Sequence, residues 1–132
     1  FDNLREIQVK LLDIGSNIAV VDPKKKERVP KITEDDVSKL EDLIDEYESK
    51  NSKLTEFLLP GVTETDAQCH ICRSVSRRVE RSMWKLNNSD EIILRIDENI
   101  LKYMNRLSDF FFALSRNLSE GKDIKVGDIK RS

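Results

Sequence analysis

Residues 68–84 of the 132-residue chain read QCHICRSVSRRVERSMW. Arg73, Arg77, Arg78 and Arg81 supply four of its five charges, Glu80 supplies the fifth, and His70 is the only histidine of the chain. Such a concentration stands out in a chain of net charge −2. A guanidinium group is a planar fork of N–H donors with a permanent charge, a good match for phosphate or carboxylate oxygens. At about 100° per residue on a helix, Asp66, Arg73, Arg77, Glu80 and Trp84 share one ridge about 60° wide. Arg81 borders that ridge and Arg78 points away from it. Two guanidinium groups at i and i+4 repel unless something negative lies over them. Three readings fit: a solvated face with Glu80 and Asp66 as local partners, an anion site, or a subunit interface. The solvated face is the commonest reading of such a ridge.

Other constellations offer less. Cys69, His70 and Cys72 have zinc-ligand chemistry, and a helix puts the two cysteines on the same side. His70 then points elsewhere, and no fourth ligand is evident. A di-iron bundle needs two Glu-x-x-His motifs, which one histidine cannot supply. There is no glycine-rich strand–loop–helix phosphate motif, and no Ser-His-Asp arrangement can be argued from a single histidine. The two cysteines read as reduced thiols. A second polar ridge carries Asn105, Ser108, Asp109, Phe112 and Arg116. There Asp109 has Arg106 or Arg116 as a simple partner, and phenylalanines 110–112 are ordinary core material.

Helices must position these residues. Apolar residues make up 38 % of the chain and charged residues 36 %, with four glycines and three prolines. That balance suits one compact helical domain over residues 1–132 and not a turn-rich sandwich. The charge balance argues against nucleic-acid binding. No apolar run approaches the ~20 residues of a membrane span, so a soluble protein is expected. Leu4, Ile7, Leu11, Ile14 and Ile18 form one stripe of a first helix, which Pro23 and Lys24–Lys26 are expected to end. A polar loop over 22–32 follows, with Pro30 as a second breaker. Thr33 reads as the N-cap of a second helix buried through Val37, Leu40, Leu43, Ile44 and Tyr47. After the Pro60-Gly61 turn, Thr63, Thr65 or Asp66 caps a third helix. Its apolar side is Gln68, Cys72, Val75, Val79, Met83 and Leu86, broken by NNSD at 87–90. Residues 91–96 suit a short helix or an extended piece. A last helix over 97–118 buries Ile100, Met104, Leu107, Phe111, Leu114 and Leu118. The expected fold is all-α, an up-down bundle of four to five helices.

Three ordered motifs carry a family resemblance. FLLPGVT, then HICRSVSRRVER, then NRLSD resemble the F-I-L-P-G-G-T, H-x-x-R-x-x-x-R-R-x-E-R and N-R-L-S-D of PduO-type ATP:cob(I)alamin adenosyltransferases. The first helix, with IQVKLLDIGSNIA, is similar to that family's I-Q-x-x-L-F-D-L-G-x-x-L-A. The resemblance spans roughly residues 4–118.

The resemblance implies a homotrimer of helical bundles with ATP and corrinoid sites at subunit interfaces. It implies transfer of the 5′-deoxyadenosyl group of ATP, bound with Mg2+, to the reduced cobalt of cob(I)alamin or a related corrinoid. Adenosylcobalamin and triphosphate result. Arg77, Arg78, Val79, Glu80 and Arg81 would line the ATP site, with Arg77 on the phosphates and Asn105 reaching ATP from the last helix. Arg73 would serve corrinoid binding and a subunit-crossing contact. Phe57 would wall the cobalt face and exclude water and the lower axial ligand. The family also wraps the phosphates with an N-terminal segment like T-x-T-G-D-x-G, which this sequence does not contain. Because the chain starts at Phe1 and not Met, N-terminal residues are expected to be missing, and without that segment the chain is expected to be incomplete as a catalyst. Cytoplasmic location is expected, or the mitochondrial matrix in a eukaryote. A relative without the phosphate segment would instead be a non-catalytic corrinoid-binding or scaffold module.

Overall fold

A computed structural model describes residues 2–20, 22–50, 63–89 and 95–118. Five helices occur among them: α1 Asp2–Ala19, α2 Pro23–Lys26, α3 Glu34–Lys50, α4 Glu64–Asn87 and α5 Glu98–Leu118. Pro60-Gly61, Phe57 and most of the ambiguous 91–96 segment lie outside the described residues.

The caps follow from side-chain chemistry. Thr33 and Asp36 form a reciprocal box: the Thr33 amide donates to Asp36 Oδ2 at 2.9 Å, and the Asp36 amide donates to Thr33 Oγ1 at 3.2 Å. Thr63, of the three candidates, caps α4 by accepting from the Asp66 amide at 3.1 Å. The 22–32 loop is not irregular throughout. Asp22 Oδ1 accepts from the Lys24 amide at 3.0 Å, and Pro23, free of any amide to satisfy, opens the one-turn α2. Pro23 therefore starts a helix; α1 has already ended at Ala19. Within the same stretch Ile32 is buried as a plug against the core.

Contacts define the topology. His70 meets Ser115 and Arg73 meets Phe112, so the start of α4 lies on the end of α5 and the two run antiparallel. Glu41 meets Arg106 and Tyr47 meets Phe110, so α3 and α5 run parallel. Lys10 reaches Asp36 at 3.1 Å and Asn17 donates to the Pro30 carbonyl at 2.7 Å, which folds α1 back on α3. The result is the expected up-down bundle. Ile7, Ile14, Val37, Leu40, Ile44, Met83, Leu107 and Phe110 belong to one continuous core.

Two faces differ from the pattern. On α5 the buried set includes Leu101, Tyr103, Phe110 and Ala113, whereas Phe111 and Leu114 are half-buried and Leu118 is exposed. On α4 the inward seam is Asp66, Cys69, Arg73, Ser76, Glu80, Met83 and Asn87, a 3-4 spacing that meets α5. The stripe expected to be core faces out: Gln68 and Cys72 are exposed, Val75 is 41 % and Leu86 44 % exposed, and neighbouring Ile71 is 64 % exposed. Only Met83 and, in part, Val79 turn inward.

The Asp36 cap predicts a pH dependence. Burial pushes its carboxyl up, but the Thr33 amide and the Lys10 ammonium outweigh burial and hold it below its ordinary value. Its folded pKa is thus depressed, so this stabilisation is complete above about pH 5 and drains as pH falls through the depressed pKa. Melting temperature is expected to fall between about pH 5 and 3, and Asp36→Asn to flatten that part of the profile. An unchanged profile in the variant would remove the cap from the acid response.

Candidate functional site

Helix α4 presents two kinds of polar residue. Arg77, Arg78 and Arg81 are exposed, while Arg73 and Glu80 are half-buried against α5. None of the four arginines forms an ion pair among the described residues. The local partners that a solvated face would supply are engaged elsewhere or out of reach. Asp66 is buried and lies 3.2 Å from His70 Nε2. Arg73 instead stacks its guanidinium 5.1 Å from the centre of the Phe112 ring, a cation–π contact across the seam. The other α5 candidate pair resolves simply: Arg106 reaches Asp109 Oδ2 at 3.5 Å and Glu41 Oε1 at 3.1 Å.

The start of the seam gathers Asp66, His70 and Ser115, which periodicity alone does not bring together. Ser115 donates to the Phe112 carbonyl at 2.8 Å, and its oxygen lies 3.4 Å from His70 Nε2. Asp66 Oδ1, at 3.2 Å, and the Ser115 hydroxyl oxygen, at 3.4 Å, both lie close to that nitrogen. A hydroxyl that is buried and already donating to backbone is no nucleophile, so the cluster ties α4 to α5 and is not a hydrolytic triad. His70 also tilts against Phe112, with centroids 6.4 Å apart, under the Arg73 stack.

The two cysteines separate at the edge of the seam. Cys69 is buried and Cys72 exposed. Burial, then Cys72 and Asp66, push the Cys69 thiol up to about 11. With an alkylating reagent at about pH 8, one thiol per folded chain is expected to react, at Cys72, and the second only on unfolding. Rapid reaction of both would show that the α4 seam opens in solution.

A cleft of about 540 Å3 opens between α3, α4 and α5. Glu80 and Trp84 of α4 line one wall, and Asn105 and Arg106 of α5 face them. The antiparallel register that joins His70 to Ser115 also sets Glu80 opposite Asn105. Two residues expected to act together, one on each ridge, therefore share this cleft. Trp84, 48 % exposed, is the lining residue that motif reasoning missed. Its sign was its place on the arginine ridge. Val79 lies half-buried beside the seam, and Phe57 is outside the described residues.

The family model for cobalamin adenosyltransferase matches residues 1–118 of the chain. The chain belongs to the cobalamin adenosyltransferase family. The corrinoid adenosyltransferase of Bacillus subtilis is 39 % identical over 129 residues, which cover 98 % of this chain and 63 % of that protein. The human corrinoid adenosyltransferase MMAB is 35 % identical over 130 residues, 95 % of this chain and 50 % of that one. This member of the family therefore spans between half and two thirds of the length of these relatives. Among solved structures, a variant PduO-type ATP:corrinoid adenosyltransferase from Lactobacillus reuteri, complexed with cobalamin and ATP, superposes with a TM-score of 0.78. It is 29 % identical, and the match covers 99 % of this chain and 70 % of that one. Among the described residues of this family member, no helix is long and apolar enough to cross a membrane.

Proposed function

We propose that the chain forms the helical bundle of an ATP:corrinoid adenosyltransferase. The observation that carries this reading is the α4 ridge. Its arginines meet no carboxylate among the described residues, and they stand beside a cleft lined by Glu80 and Asn105. Membership of the family and the relatives' names support it. ATP enters with Mg2+, and the reduced cobalt of cob(I)alamin or a related corrinoid attacks its 5′ carbon. The bond from that carbon to the α-phosphate oxygen breaks, and triphosphate leaves with the electron pair.

Arg77 holds the phosphates as their charge grows, and guanidinium groups already in place stabilise it without reorganising. Arg78, Val79 and Arg81 complete the ATP contacts on α4, and Glu80 and Asn105 orient the nucleotide. Arg73 serves the corrinoid side and a contact with a neighbouring subunit, and Phe57 walls the cobalt face. The active form is a homotrimer with its sites between subunits. The exposed Ile71, Val75 and Leu86 ridge of α4 supports a partner there, since a stripe of that size gains from burial. A cytoplasmic location, or the mitochondrial matrix of a eukaryote, fits the reading of Cys69 and Cys72 as reduced thiols.

The test supplies the full-length protein with ATP and chemically reduced cobalamin. Adenosylcobalamin and triphosphate in equal amounts are expected. Corrinoid binding without product would instead identify a non-catalytic module. Sedimentation equilibrium of the 15.3 kDa chain addresses assembly, and a monomer at micromolar concentration would count against the trimer.

A further inference from the structure

Cys69 and Cys72 are the only cysteines of the chain, and the transferase reading gives neither a task. They stand on consecutive turns of α4, about 60° apart around its axis. With a rise of about 1.5 Å per residue and a Cα radius of about 2.3 Å, their Cα atoms are about 5 Å apart. A disulfide spans Cα separations of about 4.4–6.8 Å, so the two thiols can close on each other. Their surroundings differ. Cys72 is exposed, whereas Cys69 is buried in the seam against α5. Burial, and then the neighbouring Cys72 and Asp66, raise the Cys69 thiol, which is seldom ionised near neutral pH. An oxidant in solution therefore meets Cys72 first, and Cys69 is reached from its own helix.

A low-molecular-weight disulfide of the glutathione type is the oxidant. The Cys72 thiolate attacks one of its sulfurs, a mixed disulfide forms, and one thiolate leaves with the electron pair of the broken S–S bond. Cys69 then gives its proton to solvent and attacks Sγ of Cys72, and the second thiolate leaves. Two protein thiols are oxidised and one disulfide is reduced to two thiols. The second step is the slower one, because it waits on ionisation of Cys69.

Closure of the bridge alters the helix. Side chains at i and i+3 of a regular turn hold their Cβ atoms about 5–6 Å apart, and a relaxed disulfide holds them at about 3.5–4.5 Å. Cys69 must turn toward Cys72 and out of the seam. The same turn carries His70, whose Nε2 lies 3.4 Å from the Ser115 oxygen, and leads into Arg73, 5.1 Å from the centre of the Phe112 ring. Both contacts tie the start of α4 to α5. The loop that the bridge closes is very short, so its constraint on the unfolded chain is small and strain outweighs it. Strain also makes the bond easy to reduce, so a reducing compartment keeps the thiols as the resting form.

We propose that Cys69 and Cys72 form a reversible thiol–disulfide site, with Cys72 as the attacking and Cys69 as the resolving thiol, and that its closure withdraws Cys69 from the α4–α5 seam. Neither step involves ATP or corrinoid, so the site stands apart from the transferase reading.

The experiment treats the full-length protein, in its native assembly, with oxidised glutathione, traps free thiols by alkylation, and reads intact mass, the modified peptide and the melting temperature. One glutathione per chain is expected on Cys72 first. It should then be lost, leaving a chain lighter by two hydrogens than the reduced protein. Cys69→Ser should stop at the mixed disulfide, and Cys72→Ser should stay unmodified while folded. The bridged form should melt about 5 °C lower than the reduced form and recover on reduction. In the unsubstituted protein, three results overturn the site: no reaction, a mixed disulfide that persists unresolved, or a disulfide between two chains. A Cys69–Cys72 bridge that leaves the melting temperature unchanged or raises it overturns the withdrawal from the seam.

Discussion

Replacing Arg77 by lysine is expected to lower turnover by about two to three decades and leave the fold unchanged. Lysine keeps the charge but presents a single rotating ammonium in place of a planar fork. Arg77 is exposed on α4 and makes no ion pair among the described residues. Stability should therefore change by less than ~0.5 kcal/mol. The loss in the transition state is of a different size. Removing one well-placed donor from a growing anion costs ~2–4 kcal/mol, which sets the loss in rate. Single-turnover conversion of pre-reduced cobalamin, alongside a thermal melt, separates the two effects. Normal turnover in Arg77→Lys would reduce Arg77 to a surface charge.

Phe110→Ala should carry the largest cost in stability. The ring is 1 % exposed and meets Tyr47 edge-on, with centroids 5.9 Å apart. Truncation removes its burial and leaves a cavity where α3 and α5 meet, at ~3–5 kcal/mol. For a domain of this size the melting temperature should fall on the order of 15 °C. Phe111→Ala is the informative control, because apolar periodicity assigns Phe111 to the core and the structure leaves it half-buried. Its cost should be less than half as large. If Phe111→Ala proved the more damaging of the two, the α5 face described above would be wrong.

That pair of phenylalanines shows where reading by sequence stops. Three aromatic residues in a row cover most of a turn, so a helical wheel cannot tell which of them points at the partner. Where one face is apolar and the other charged, as on α1 and α3, the wheel suffices: Ile7, Ile14, Val37, Leu40 and Ile44 are buried where the spacing puts them. Caps are equally legible because they are local. Thr33 and Thr63 satisfy amides only three residues away, so no distant element is needed to choose them. The ordered motifs pointed to the family before any geometry was known.

The roll of α4 is what only the tertiary structure decided. Its most apolar ridge, through Val75 and Leu86, is exposed, while a seam containing Asp66, Ser76 and Asn87 faces inward. Hydrophobic periodicity counts transfer of side chains out of water and treats every polar group as a loss. These polar groups lose little, because each has a polar or charged neighbour on burial. Asp66 Oδ1 lies 3.2 Å from His70 Nε2 as an ion-pair contact, Ser76 donates to the Cys72 carbonyl at 2.8 Å, and Asn87 accepts from the Ile96 amide at 2.7 Å. A satisfied polar seam can therefore be buried within the bundle, and the apolar ridge stays at the surface. The same roll brings Glu80 opposite Asn105 and sets Trp84 at the cleft wall. Those juxtapositions depend on the register between α4 and α5, which no stretch of either helix encodes alone.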